Sequence, residues 1–464
     1  MAGADPKRRG GRISIGSARR AGTAKTGDRT AGGSAARSTD KPTAKATSRR
    51  SVSGGARPTR GATASPTPTM PAADGPGRTG FAGFTGIRSL VNPLWCYHGF
   101  IGAVLVLCCF GVIMVFSSST VTLVASGLKP WQRGLNQGLY CGVGLICAAF
   151  LARRSVKFYR HVAGGVMIGS LVLQMLTLTP LGVGSETTGN NGWIAIGGFS
   201  MQPAEVTKLA LCLWLPIALH RSAKAYPRDG LKAYAVPGGM YVAALGLVML
   251  GKDLGTAMIL VFIGVVAFLI SGFPLRYMAM LAGALGAVVA VLVISSPNRL
   301  NRVLAAYQEC TDTQGVCFQS THAKYALASG GLLGVGLGNS REKWNYLPEA
   351  HNDFIFAIIG EETGFIGAAI VILLFVVIGW CLISVAMQLD DRCFATSLVC
   401  VAVWLVGQAL VNIGVVVGIF PVLGVPMPFV SAGGSSMLMC LCAAGVAVAI
   451  MRSHPQVRAE GRLD

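Results

Sequence analysis

Acidic residues are scarce in this chain. Nineteen Asp and Glu stand against 39 Lys and Arg in 464 residues, and charge of both signs amounts to only 12%. Soluble domains usually carry about 25% charged residues, so an ordinary water-soluble enzyme is excluded. Alternating segments of about ten residues, the mark of an outer-membrane barrel, are missing. There is no P-loop, no HExxH helix, no Ser-His-Asp order and no CxxC pair, which removes phosphate cradles and the common zinc sites from consideration. What is present is 52% hydrophobic residues at a mean hydropathy of +0.58. They fall in repeated runs near the ~20 residues that cross a bilayer. The expected fold class is all-α, a polytopic membrane protein with about ten transmembrane helices.

The basic excess is uneven. Residues 1–88 hold 17 Lys and Arg against 4 Asp and almost no large apolar side chains. Such a segment cannot bury enough surface to offset its ordering entropy, so it reads as a disordered basic cytoplasmic tail. It has no aromatic interleaving, and no nucleic-acid partner is expected. The first apolar run begins near Cys96, far from the N-terminus, and reads as an uncleaved anchor. The membrane domain is expected over 89–452, followed by a short cytoplasmic tail at 453–464.

The ten segments are expected near 98–118, 135–152, 161–180, 204–220, 234–251, 255–271, 277–295, 354–387 (with a break near Gly364), 394–418 and 435–451. Arg153, Arg154, Lys157, Arg160, Arg221, Lys224, Arg228, Lys232, Arg276, Arg392 and Arg452 all fall between them on one side. By the positive-inside rule that side is the cytoplasm, and both termini lie there. The large outer loop, 296–353, separates spans seven and eight. A loop of this size is usually functional or partly helical. Its Gly330–Gly338 stretch has no preceding strand, so it reads as tight turns and close backbone packing rather than a dinucleotide fingerprint. Eleven of the 13 cysteines lie in or beside apolar runs, where a thiol is a small hydrophobe. Cys310 and Cys317, seven apart in the outer loop, can pair if that side is oxidising.

Four polar clusters fall on the outer side. Asn190–Lys208 holds Gln202, Glu205 and Lys208 around Pro203, which can open a helix. Glu205 and Lys208 then share a face, either as a salt bridge or as a cation offered to an anionic substrate. Lys252-Asp253-Leu-Gly-Thr256 is a very short loop in which Asp253 can cap the next helix. Tyr346–Gly364 packs His351, Glu349, Asp353, Glu361 and Glu362 against an apolar run. Charge at a membrane edge is costly unless hydrated or paired, so this cluster is the leading site candidate. Pro421–Ser436, with three prolines and with Ser431 and Ser435, is too irregular to span. Such backbone is tolerated at depth only where it is buried in protein or lines a polar cavity.

In order and spacing these clusters resemble the SEDS family (shape, elongation, division and sporulation) over roughly residues 90–452. The resemblance is carried by Gly111-Val-Ile-Met-Val-Phe-Ser117-Ser, Asp253-Leu-Gly-Thr-Ala, Gln319-Ser320 with the Gly-rich stretch, and Pro428-Phe-Val-Ser-Ala-Gly-Gly-Ser-Ser. Gly338-Asn-Ser-Arg-Glu-Lys343 with Tyr346-Leu-Pro-Glu-Ala-His is closer to the division branch than to the elongation branch. The resemblance implies a peptidoglycan glycosyltransferase that polymerises lipid II on the outer face of the bacterial cytoplasmic membrane. It implies a class B penicillin-binding protein and other division proteins as partners, and location at the septum.

The family's essential carboxylate, in a His-x-Asp-Phe motif, maps to Asp353, the candidate base for the acceptor sugar's 4-hydroxyl. Lys208 and Lys343 are candidates for the leaving pyrophosphate. Glu205, His351, Glu349, Gln202, Ser431 and Ser435 complete the expected substrate-binding set. A divalent ion such as Mg²⁺ can share the pyrophosphate role, with no ligand set fixed by the sequence. The chain departs from the usual pattern at Asn352, Ala204, Lys252 and Asn190-Asn191-Gly192. The alternatives are a lipid II flippase and a non-catalytic division scaffold.

Overall fold

Helices are dictated here by the solvent. In hydrocarbon every backbone N–H and C=O must find a partner inside its own segment, and the apolar runs supply no competing polar side chains. In the computed structural model the described residues are 90–184, 191–196, 199–295, 300, 303–304, 307, 317–344 and 346–460. The basic tail, Cys310 and Asn190 lie outside them. The main elements are α1 (Pro93–Ala125), α2 (Gln132–Ala152), α3 (Val156–Leu176), α4 (Pro203–Asp229), α5 (Ala235–Leu250), α6 (Leu254–Ile270), α7 (Leu275–Ile294), α8 (Phe318–Gly330), α9 (Ile355–Gln388), α10 (Arg392–Val416), α11 (Gly434–Met451) and α12 (Pro455–Glu460). Each of the ten expected segments coincides with one of these helices, and α8 is one helical part of the long loop.

Six helical stretches among the described residues are long and apolar enough to cross a membrane, one of them the continuous run Pro203–Leu250. Leu254–Ile270 and Leu275–Val291 are apolar but shorter. The starts are chemically marked. Asn92 accepts from the N–H of Leu94 ahead of Pro93, Ser155 caps α3, and Asp391 caps α10 through Cys393 N–H. Each cap satisfies an orphan donor of the first turn. One local addition departs from helix. Three short strands, β1 (Gly182–Val183), β2 (Trp193–Ile196) and β3 (Phe199–Met201), form an antiparallel sheet with Gly182 opposite Ile194 and Ala195 opposite Ser200.

Lipid tails are as apolar as leucine, so close backbone approach has to hold the bundle. α2 lies along α11, where a Cβ on Gly445 would sit 2.5 Å from Ala148 O and one on Gly144 would meet Leu441 Cδ1 at 2.5 Å. α1 packs on α9, and α10 packs on α4, α6 and α9. The most buried core includes Trp404, Phe100, Met114 and Phe375. At one end of the bundle Arg160 pairs with Asp391 and Arg452 Nη1 donates to Ala152 O at 3.5 Å, which ties the basic turns together. The polar clusters meet at the other end. Cys317 is disulfide-bonded.

Candidate functional site: a loop and a helix amide that grip three carbonyls

After α10 the chain runs through 417–433 without regular structure. Its second half, from Val425 to Ser431, is mostly buried, so the backbone groups there need partners. Two amides one turn apart on α10 supply donors. Gln408 Nε2 donates to Pro426 O at 2.7 Å, and Asn412 Nδ2 donates to Val425 O at 2.8 Å. From α2, Gln137 Nε2 donates to Ser431 O at 3.0 Å while its Oε1 accepts from Gly433 N at 3.3 Å. Ser431 Oγ accepts from Met427 N at 2.7 Å. The loop presses so closely on α1 that a Cβ on Gly111 would lie 2.4 Å from Phe429 O.

This loop in turn holds the His351–Asp353 segment. Ala432 N donates to His351 O at 3.0 Å, Ser431 Oγ donates to Asn352 O at 2.7 Å, and Asn412 Nδ2 donates to Asp353 O at 2.8 Å. Three consecutive carbonyls are therefore fixed by three different donors. The Asp353 side chain, half-buried, faces Gly424, where a Cβ would stand 3.6 Å from Asp353 Oδ2. Gly424 has φ +67 and no side chain, so the approach to the carboxylate stays open on that side.

His351 is two residues away. Its Nε2 accepts from Arg133 Nη1 at 2.7 Å, so the ring proton sits on Nδ1. Burial first, and the Arg133 charge second, push its pKa down to about 4. The ring is neutral near pH 7 and a cation stands behind it. Glu349 is more exposed, 4.0 Å from His351 Nε2, and adopts φ 55.

The remaining expected residues lie in two buried layers. Lys208 Nζ meets Glu205 Oε1 at 2.8 Å and Gln408 Oε1 at 2.8 Å, above the Trp404 ring at 5.1 Å. Both ions are about 1% exposed. Lys208 is thus a structural partner of the amide that grips Pro426. Gln202 Nε2 donates to Asp253 Oδ2 at 2.9 Å, Asp253 caps α6 through Thr256 N, and Ser435 Oγ accepts from Gln202 N at 3.4 Å. Asp253 acts as the cap its position suggested.

The second layer lies under the long loop. Lys343 Nζ meets Glu362 Oε1 at 2.9 Å and Ser117 Oγ at 3.3 Å, and Ser117 donates to Glu362. Glu361 accepts from Ser340 Oγ and from Arg341 N. These carboxylates stand just before Gly364, which interrupts α9 with φ 69 and ψ −171. The Gly-rich stretch fills the break with backbone bonds: Val335 N to Glu361 O, Gly336 N to Glu362 O, and Phe365 N to Gly331 O. Close backbone packing, the role expected for these glycines, is what they perform. Beside Lys343, the C-terminal half of α1 and the loop around Leu337 and Trp344 line an apolar cavity of about 650 Å³.

Sequence reasoning did not single out Gln137, Arg133, Gln408 or Asn412. A usable signal was present, since a lone amide in an apolar helix is costly until it finds a partner. Among the described residues no group of three or more His, Cys, Asp or Glu side chains is arranged to hold a metal. His351 Nε2 is engaged by Arg133, and Glu361 and Glu362 are engaged by the loop. Those three side chains are committed to protein partners.

Comparison with known proteins followed the same outline. The FtsW/RodA/SpoVE family, described as cell cycle protein, matches residues 98–456. The probable peptidoglycan glycosyltransferase FtsW of Mycobacterium tuberculosis is 34% identical over 405 residues, covering 87% of this chain and 75% of that protein. Stage V sporulation protein E of Bacillus subtilis is 36% identical over 350 residues, 75% of this chain and 94% of that one. A chain of a peptidoglycan synthase complex, solved for the structural coordination of polymerization and crosslinking, superposes with TM-score 0.62 at 26% identity over 77% of this chain and 98% of its own length. The crystal structure of the rod shape determining protein RodA of Thermus thermophilus gives TM-score 0.57 at 26% identity over 78% and 97%.

Proposed function

The chain belongs to the FtsW/RodA/SpoVE family of multi-pass membrane proteins, and we propose that it is the peptidoglycan glycosyltransferase of cell division, with Asp353 as its base. The observation that carries the assignment is the fixing of the His351, Asn352 and Asp353 carbonyls. A general base must be held in one geometry to contribute its usual 10²–10⁴-fold or so, and here the main chain on which it stands is held at three successive residues.

The substrate is lipid II. An Asp353 oxygen takes the proton of the acceptor's 4-hydroxyl as the acceptor's O4 bonds to C1 of the donor sugar. The C1–O bond to the diphosphate breaks, and its electron pair leaves on the polyprenyl diphosphate. Fixed cations best stabilise such developing charge. Lys208 and Lys343 are each neutralised by a buried glutamate. Arg133 has no ion pair among the described residues and reaches His351 from the rim, so Arg133 meets the diphosphate. Lys208 supports the Pro426 grip through Gln408, and Lys343 braces the long loop against α1. No step is assigned to a metal.

The partner is a class B penicillin-binding protein, the site is the division septum, and the basic end with both termini faces the cytoplasm. The deciding experiment supplies lipid II to the full-length protein with that partner and compares wild type with Asp353→Ala and Asp353→Asn. Glycan strands from wild type alone support the reading. Strands from all three would remove Asp353 as the base. Strands from none, with lipid II translocated in vesicles, would favour a flippase.

A further inference from the structure

We propose that the basic end of the bundle carries a binding site for an anionic phospholipid, with a cationic cavity for the phosphodiester and an adjoining apolar groove for an acyl chain. The cavity, about 540 Å³, lies between the α2–α3 turn and the α11–α12 turn. Arg153, Arg154, Lys157, Arg452 and Arg458 line it, and no Asp or Glu occurs among its described lining residues. None of the five has an ion pair among the described residues, although Arg160, one turn further along α3, is paired with Asp391. Arg154 stacks at 4.0 Å from the Phe150 ring centroid, an arrangement that orients a guanidinium without neutralising it. α3 begins at this turn, and its positive end adds to the field.

Basic side chains at a cytoplasmic boundary are ordinary topology signals. What singles out these five is the feature beside them. A second cavity, about 310 Å³, runs between α1, α2 and α11, and its wall includes Tyr97, Ile101, Leu105, Leu145 and Leu441. The two cavities share Ala152, Arg153 and Arg452. Polar and apolar surfaces therefore meet at two arginines, in the order that a phosphodiester and its acyl chain meet in a lipid. A free phosphate would use only the cationic half. A zwitterionic headgroup brings its own cation, which no carboxylate in the lining would receive. Basic pockets between helices at this boundary favour anionic headgroups in general.

The test uses the full-length protein in neutral detergent. Retention of dioleoyl phosphatidylglycerol and of dioleoyl phosphatidylcholine is read by native mass spectrometry. Each basic side chain near a lipid headgroup is worth about fivefold in binding, so Arg153→Gln with Arg452→Gln should weaken phosphatidylglycerol retention by about 30-fold. Lys157→Gln with Arg458→Gln, away from the helix packing, should do the same should the first pair misfold. Arg153→Lys with Arg452→Lys should retain the lipid. Leu105→Trp, which fills the groove, should weaken retention with every cation in place. Equal retention of the two lipids, or undiminished retention in both charge-loss pairs at unchanged melting temperature, would overturn the proposal. Displacement of the lipid by millimolar inorganic phosphate, together with indifference to Leu105→Trp, would identify a phosphate site instead.

Discussion

Replacing Asn412 by leucine tests whether the base depends on the grip of the re-entrant loop. The side chain is 1% exposed and spends both of its amide hydrogens on carbonyls, Asp353 O and Val425 O, each at 2.8 Å. Leucine fills nearly the same volume, so cavity formation is a small part of the effect. Two buried acceptors lose their donor, at about 1–3 kcal/mol each, or about 2–6 kcal/mol together. That cost falls on one joint, between the Asp353 segment and the loop at 425. A displacement of ~1 Å at a reacting group costs about 100-fold in rate. The expected result in strand synthesis from lipid II is a fall of about 100-fold in kcat with KM nearly unchanged and a modest drop in melting temperature. Asn412→Asp should fall at least as far, because a carboxylate oxygen then faces two carbonyls. Wild-type turnover from a folded Asn412→Leu protein would refute the argument that Asp353 works because its main chain is pinned.

Three further outcomes follow from the same geometry. The pKa of His351 is lowered from 6.5 to about 4, so its contribution to stability is complete above pH 6.5 and is lost as the pH falls through about 4; melting temperatures across that window should show a decline that His351→Gln reduces. Gly364→Ala should destabilise by at least about 1–3 kcal/mol, since a Cβ there lies 2.3 Å from Gly334 N at a φ of +69, and thermal unfolding will register it. Lys343→Met should lower the melting temperature sharply, because breaking a buried pair from one side costs about 3–5 kcal/mol, whereas adding Glu362→Gln should restore part of the loss by removing the stranded charge.

Much of the fold was legible because the bilayer permits few solutions. Apolar runs had to become helices, and their boundaries appear where Asn92, Ser155, Asp253 and Asp391 cap. The break near Gly364 was visible as a glycine after two carboxylates inside a long apolar segment. The small sheet was not, because its strands are two to four residues long and have no room for a repeat. Nor could the Gly-rich stretch name its partner. Its glycines announce close approach, while their bonding to Glu361 O and Glu362 O depends on where the chain returns.

The site was legible in its carboxylates and illegible in its amides, and the difference is physical. A charge in an apolar setting is conspicuous because its cost is large, so Glu205, Lys208 and the carboxylates from Glu349 to Glu362 drew attention on residue type, while the roles of Asp353 and Lys343 came with the family resemblance. Spacing put the first pair on one helical face without deciding between an ion pair and a cation offered to substrate. Yet a charge can satisfy a carbonyl only by leaving another charge to be balanced. Gripping a loop of bare carbonyls at depth needs neutral donors in number. Gln137, Gln408 and Asn412 are such donors, and each of them also engages a second group. The Glu205–Lys208 pair then makes sense as support, a closed ion pair whose spare donor orients the Gln408 carbonyl oxygen and so turns its amide hydrogens toward Pro426. Because the buried cations are cancelled in this way, the diphosphate contact is proposed at Arg133, which stands beside His351 with no ion pair among the described residues.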